Sequence, residues 1–550
     1  MRVESSANPV PDSVGLVSAQ MATATLQKTL GAFYTGQPAA DRLVRWAVCN
    51  ASDSVLDPSC GDGVFVATAY SRLRELGSDF PDICGVDVSQ DALALAHERV
   101  ESARLVQEDF FNLTPSSLAT FDCVVGNPPF IRYQTFNGDK DSLGHKRAKE
   151  AGVNLPRLAS SWAPFLVYAS RFLRRGGRLA MVMPSELGHS MYAREVLRFL
   201  AGNFRHVAVE MFRDRLFEEL SQSTVLLFCE GYGEANRAFI VTSSDDLNGN
   251  DRQVAKVDPA LIASGRFRFT RYLVSEEVRS LYEGLAADKR TQRLGDAADV
   301  GIGYVTGAND FFHLSAEECL RLEIPKKFLR PCVPNLRGFK GLEYDQRYWR
   351  EQRSKGEKVY LLALPACPAE DLPRSVQAYL RHGEAKGLPK RYKCRIRQFW
   401  HSVPHIRIAD AFLSYMSGAQ PLLVTNAANL VAPNTVHVLR FKQSCKPLPY
   451  AASWKSSLTR LSCELEGHAL GGGLFKLEPS EAANVLIVRP RATSLRGLML
   501  RVGRVGLESP EQWSDVADRY LLTGYLGLSP AECLLLREAA GKIESWRKHK

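Results

Sequence analysis

Between residues 50 and 230 the hydrophobic and polar positions switch repeatedly between two periods. The apolar runs VLDPSC (55–60), ICGVDVS (83–89), ARLVQEDFF (103–111), FDCVVG (121–126), GRLAMVMP (177–184) and STVLLFCEG (223–231) have the length and continuity of buried strands. Helical patterns stand after the first two, GVFVATAYSRLREL and QDALALAHERV. Strands alternating with helices predict a parallel, doubly wound α/β sheet. In such a sheet ligands bind beyond the carboxyl ends of the strands. VLDPSCGDG and VVGNPPF are both placed at such ends, so both are expected to open onto the same side.

Past residue 230 this pattern fades through GYGEAN and SSDDLNGNDRQ. From about residue 295 the text becomes irregular strands rich in Arg, Lys and aromatic residues, a mixed α+β composition. LPKRYKCRIRQFWHSVPHIR (388–407) is the most basic stretch with interleaved aromatics, and the last residues are helical in character.

Composition narrows the class. A chain of 550 residues is too long for one core, so two or three domains are expected. The hydrophobic fraction of 45% and charged fraction of 24% are those of a soluble globular protein, and no apolar run is long enough to span a membrane. The polar N-terminus lacks a secretory signal. Twelve scattered cysteines, with no CxxC pair and no zinc spacing, predict no metal site and point to reduced packers in a cytoplasmic protein. A formal charge of +10 fits a nucleic-acid partner, and fits a solvated basic surface equally well. His189, His401 and His437 have neither a nucleophile partner nor metal spacing.

The candidate chemistry starts with DPSCGDG, Asp57 to Gly63. A Gly-rich turn between strand and helix lets the backbone approach a ligand closely. It lacks the Gly-Lys-Ser/Thr of a phosphate loop and the GxGxxG spacing of nicotinamide dinucleotide sites. Asp87 ends the next strand, where such sheets place a carboxylate for ribose hydroxyls, and Asp109 ends a third. Helix-capping acids on a strand-to-helix turn are the bland alternative. At Asn127-Pro128-Pro129-Phe130 two prolines fix φ and remove donors, so Asn127 and Phe130 sit on a stiff frame.

In this order the pieces resemble the class I S-adenosylmethionine-dependent methyltransferases. NPPF resembles the (Asn/Asp/Ser)-Pro-Pro-(Tyr/Phe) motif of those that methylate planar amino groups. GAFYTGQPAADRLVRWAV (31–48), ahead of the cofactor loop, is similar to the gamma-type amino DNA methyltransferases, with Pro38 displaced from the usual Tyr-Thr-Pro. VGIGYVTGANDFF (300–312), RYKCRIRQFWHSVP, PLLVTNAANLVAPNTVHV (421–438) and SSLTRLSCELEGHALGGGLFKLEPSEAANV (456–485) resemble the target-recognition region of TaqI-like members.

The resemblance implies a Rossmann-like catalytic domain over 26–235, after a flexible lead (1–25), then a transition (236–295), a target-recognition domain (296–490) and a helical segment (491–550). It implies S-adenosyl-L-methionine held by Tyr34, Thr35, Asp57, Pro58, Gly61, Gly63, Asp87, Asp109 and Asn127. Asn127 and the Pro128 carbonyl would accept from an adenine N6 amino group, with Pro129 stiffening the loop and Phe130 and Phe217 stacking on the flipped base. Lys393, Arg395, Arg397 and Trp400 are expected to contact double-stranded DNA. The GGG run at 471–473 reads as a turn approaching DNA or the catalytic domain. The partners would be DNA and a separately encoded restriction endonuclease, unless the methylase is solitary. An RNA methyltransferase, an inactive DNA-binding protein on the same scaffold, and cytosine N4 as target remain open at this stage.

Overall fold

The computed structural model describes residues 36–130, 143–213, 224–247, 252–442, 445–470, 473–489 and 510–548. They form two compact units that divide between Leu273 and Val274. Among the described residues no helix is long and apolar enough to cross a membrane.

The first unit is built on a nine-stranded sheet. Its strands are β1 (Val55–Asp57), β2 (Ile83–Asp87), β3 (Arg104–Gln107), β4 (Phe121–Gly126), β5 (Leu173–Pro184), β6 (Phe204–Phe212), β7 (Thr224–Tyr232), β8 (Ala238–Ser244) and β9 (Gln253–Lys256). They lie in the order β3-β2-β1-β4-β5-β7-β6-β8-β9. Helices α1 (Gln37–Ala47), α2 (Val64–Glu75), α3 (Gln90–Arg99), α4 (Leu143–Glu150), α5 (Trp162–Ala169) and α6 (Ala193–Asn203) accompany it. Pro38 stands in the first turn of α1, where a missing N–H costs nothing, and Ala39, Ala40, Leu43, Val44 and Ala47 form its buried face.

β1 to β5 pair in parallel, as the alternation of strands and helices predicts. The sheet is mixed beyond them, because β7 is antiparallel to both β5 and β6, and β9 to β8. A parallel crossover needs a dozen or more residues, and too few separate Phe212 from Thr224, so β7 reverses and fills the place between β5 and β6. β8 and β9 lie in the stretch read as a transition, and the division between units falls at its Leu273.

The second unit contains a four-stranded antiparallel sheet of Ala298–Ile302, Val436–Phe441, Ala411–Ser414 and Leu423–Thr425. A smaller sheet, His313–Leu314, Tyr360–Leu362 and Leu329–Pro331, stands over a core that includes Phe311, Phe312, Leu361 and Leu380. The unit is therefore mixed α+β, and the fold class is the expected one. Gly303 is required where its strand passes Pro433, since a Cβ there would meet the Ala432 carbonyl oxygen at 2.1 Å.

The C-terminal helix Pro530–Lys548 packs on Ser457–Glu466 through paired charges. Arg547 meets Glu464 at 3.1 Å with both side chains buried, and Arg460 meets Glu544 at 2.6 Å. Asp518 accepts from the Ser457 amide at 2.7 Å and from Arg537 at 2.9 Å. Gly473 is the described residue of the GGG run. It faces this helix, where Arg547 donates to its carbonyl at 2.7 Å and a Cβ would stand 3.0 Å from Lys548 Cα.

Candidate active site

Four neighbouring parallel strands, β3, β2, β1 and β4, end on the same edge of the sheet, and each end carries one of the sequence motifs. Register pairs Asp57 with Gly85 and Asp87 with Gln107, so the acids of adjacent strands stand one strand spacing apart.

The turn after β1 closes with the Gly63 amide on the Cys60 carbonyl at 2.9 Å and the Cys60 amide on the Val86 carbonyl at 2.9 Å. Gly61 and Gly63 take positive φ, 52° and 84°, and a Cβ on Gly63 would strike Ala96 of α3 at 2.7 Å. Asp57 is buried at 1% exposure. Its Oδ1 accepts from the Ser59 amide at 3.1 Å, while its Oδ2 is buried with no hydrogen-bond partner among the described residues. Burial pushes its carboxyl up to about 8; the Ser59 amide opposes the shift, and Asp87 and Asp62 add to it.

Asp87 accepts from the Gly61 amide at 2.9 Å through Oδ2 and from the Ser89 amide at 2.9 Å through Oδ1. A carboxylate has about four lone-pair sites, so Asp87 fixes the turn and keeps acceptor capacity for a hydroxylated ligand. Asp109 is exposed and caps the helical turn Phe110–Asn112, accepting from the Phe111 amide at 3.0 Å. Asp109 thus does the capping work of the bland reading, Asp87 ties the turn to the residue that caps α3, and both remain open to a ligand.

The NPPF loop leaves β4 directly beside the Asp57 turn. A Cβ on Gly126 would sit 2.7 Å from Asp57 Oδ1 and 3.7 Å from Pro58 Cδ, so only glycine lets the two loops approach. Ser59 Oγ donates to the Asn127 carbonyl at 3.2 Å. Phe130 is 8% exposed, so a base could stack on it only after what covers the ring has moved. Tyr34, Thr35 and Phe217 lie outside the described residues.

The basic stretch divides. Lys393 and Arg395 are exposed on the short helix Tyr392–Arg395. Arg397 donates to the Val305 and Thr306 carbonyls at 2.6 and 2.8 Å, and the half-buried Trp400 packs on Phe311 and Phe312 at centroid distances of 5.7 and 6.3 Å. These two residues, expected at DNA, are used inside their own unit. His437 is likewise internal, with Nε2 2.6 Å from the Leu477 carbonyl.

Sequence reasoning did not single out Ser59, Ser161 or Glu186. Ser161 Oγ donates to the Pro129 carbonyl in a short bond, and Glu186, just after β5, gathers donors from Ser160, Trp162 and Tyr192. The available signal was position: Ser59 lies inside the Gly-rich turn, and Glu186 follows the strand next to β4.

Residues 18–231 match the family model described as N-6 DNA Methylase, and residues 266–503 match that of the Type II methyltransferase M.Eco57I, C-terminal domain. The chain is 20% identical over 509 residues to the Type II methyltransferase M.AccI of Acinetobacter calcoaceticus, covering 90% of this chain and 89% of the relative. It is 24% identical over 486 residues to the Type II methyltransferase M.XamI of Xanthomonas campestris pv. amaranthicola, covering 85% and 86%. Among solved structures, the Type IIL restriction-modification enzyme MmeI in complex with DNA is 13% identical, with a TM-score of 0.58 over 96% of this chain and 78% of that one. At that identity the likeness is one of fold.

Proposed function

We propose that this chain, whose residues 18–231 match the N-6 DNA Methylase model, transfers methyl from S-adenosyl-L-methionine to the N6 amino group of an adenine in duplex DNA. It would serve as the modification enzyme of a restriction-modification system, beside a separately encoded endonuclease, or as a solitary methylase. The order of its parts, with the 31–48 segment before the cofactor turn and the variable region after the catalytic unit, supports the gamma type.

The observation that carries this reading is the meeting of the Asp57 turn and the NPPF loop at Gly126. A methyl donor and an amino acceptor have to be held within reach of one another, and here the two motif loops touch. The residues fit the cofactor. The buried Asp57 Oδ2 lacks a partner among the described residues and suits the ammonium of the methionine end, Asp87 suits the ribose, and the exposed Asp109 suits the ring amino group. When bound, S-adenosyl-L-methionine supplies a methyl group activated by its sulfonium.

The protein's own contribution is positioning. An adenine amino nitrogen is conjugated with its ring and is a poor nucleophile. Acceptors from Asn127 and the Pro128 carbonyl favour the geometry in which its lone pair can react, and the proton can leave after transfer. Extruding the base from the duplex costs a few kcal/mol, which stacking on an uncovered Phe130 would offset. Lys393 and Arg395 supply charge for the phosphate backbone.

Purified protein given methyl-labelled cofactor should label adenine in duplex DNA. Label in RNA but not in duplex DNA would overturn the substrate assignment. Tight duplex binding with no calorimetric signal for the cofactor would overturn the enzymatic one.

A further inference from the structure

The two prolines of the NPPF loop have no N–H, so across Pro128 and Pro129 the backbone can be tethered only through its carbonyls. Two hydroxyls do this. Ser59 holds the Asn127 carbonyl and Ser161 holds the Pro129 carbonyl. The Pro128 carbonyl lies between them, and no hydrogen bond from a described residue reaches it.

Ser161 is placed for a different task. It stands at the N-cap of α5, where a serine hydroxyl ordinarily accepts from the second or third helical amide. It makes no such cap bond. The third helical residue is Pro164, which has no N–H, and the Ala163 amide is bonded to the Ser160 carbonyl at 3.1 Å. The hydroxyl therefore donates outward to the loop. Its neighbours are anchored as well: Ser160 Oγ and Trp162 Nε1 reach Glu186 Oε2 at 3.2 and 3.4 Å, and Tyr192 donates to the same oxygen at 2.6 Å. Ser59 is fixed in turn by its amide on Asp57. β1 and β5 flank β4 in the sheet: Ser59 follows β1, and the neighbours of Ser161 are anchored to Glu186, which follows β5.

We propose that Ser59 and Ser161 are positioning residues that fix the peptide planes on either side of the Pro128–Pro129 peptide and so aim the Pro128 carbonyl at the amino group to be methylated. The inference rests on the reading given under Proposed function. It adds that the acceptor is held by hydroxyl clamps and not by proline stiffness alone.

The full chain with Ser59→Ala, Ser161→Ala and Ser161→Thr tests it. A misplacement of about 1 Å can cost about a hundredfold in rate, so each alanine should lower kcat by at least about tenfold. KM for duplex DNA and the Kd of the cofactor should stay unchanged, and threonine should restore kcat. In the unliganded chain, amide exchange of the 121–130 segment should quicken by about tenfold in Ser161→Ala while the melting temperature holds. Wild-type exchange and wild-type kcat in both alanine variants would overturn the clamp. A wild-type chain that leaves duplex DNA unmethylated would count against the functional reading, and the exchange comparison would still decide the clamp.

Discussion

At the strand ends of the first unit, polar groups are held by backbone amides and keep bonding capacity, whereas the charges that stand out in the second unit close on one another. Asp57 keeps a buried oxygen without a partner among the described residues, and Asp87 takes one amide on each oxygen. In the second unit Arg547 is spent on Glu464 and Gly473, and Arg397 on three carbonyls. Spare bonding capacity at a fixed edge marks a ligand site better than charge density does, because a satisfied charge has little left to offer a partner.

The largest effect expected from breaking this contrast is at Asn127. Asn127→Ala should lower methyl transfer by about a thousandfold while cofactor binding persists, since on the proposed reading it removes an acceptor for the reacting amino group. Retained activity would remove the assigned role. In the second unit the corresponding break is structural. Glu464→Ala leaves Arg547 buried beside an uncompensated site and should cost about 3–5 kcal/mol in urea unfolding.

The basic stretch sharpens the contrast within one segment. Arg397→Ala should lower stability by about 1–3 kcal/mol, because it removes a donor from the Val305, Thr306 and Trp400 carbonyls. Lys393→Ala and Arg395→Ala should leave the melting temperature alone and each reduce the salt slope of DNA binding by about 1. The reverse pattern would mean that Arg397 is the phosphate contact.

The smallest effect is a proton. Asp57 is pushed up to about 8 from its ordinary 3.8, so the unliganded fold binds that proton more tightly than the unfolded chain does. This contribution to stability is present at acid pH and is lost as pH rises between those values. A cationic ligand at Oδ2 favours the ionised form, so cofactor binding at pH 7 should release about one proton. Calorimetry in buffers of different ionisation enthalpy reads that release, and Asp57→Asn should abolish it.

Much of this was legible in the chain because parallel strands turn sequence order into place. FDCVVG is β4 to the residue, and the four motif-bearing strand ends lie together because strands of one direction must end on one edge. β6 escaped notice: Arg205, His206 and Glu210 interrupt its apolar run, although its buried positions still follow a half-exposed strand. β8 and β9 were hidden by the polar text around them. The destination of the C-terminal helix depends on Arg547 finding Glu464 from 83 residues away, which no local pattern records. The clamp serines are silent for the same reason, since Ser59 and the carbonyl it holds are 68 residues apart. The same separation that hides the Ser59 contact lets it join the turn after β1 to the loop after β4.

On the proposed reading the loop after β4 holds an adenine amino group of duplex DNA for methyl transfer from S-adenosyl-L-methionine. Single-molecule sequencing of DNA from cells expressing the wild-type chain or Asn127→Ala tests it most directly, because it reports the modified base and its context together. N6-methyladenine in one sequence context is expected with the wild type and none with the variant. Unmodified DNA with the wild type, or methyl groups found on cytosine N4 instead, would contradict it.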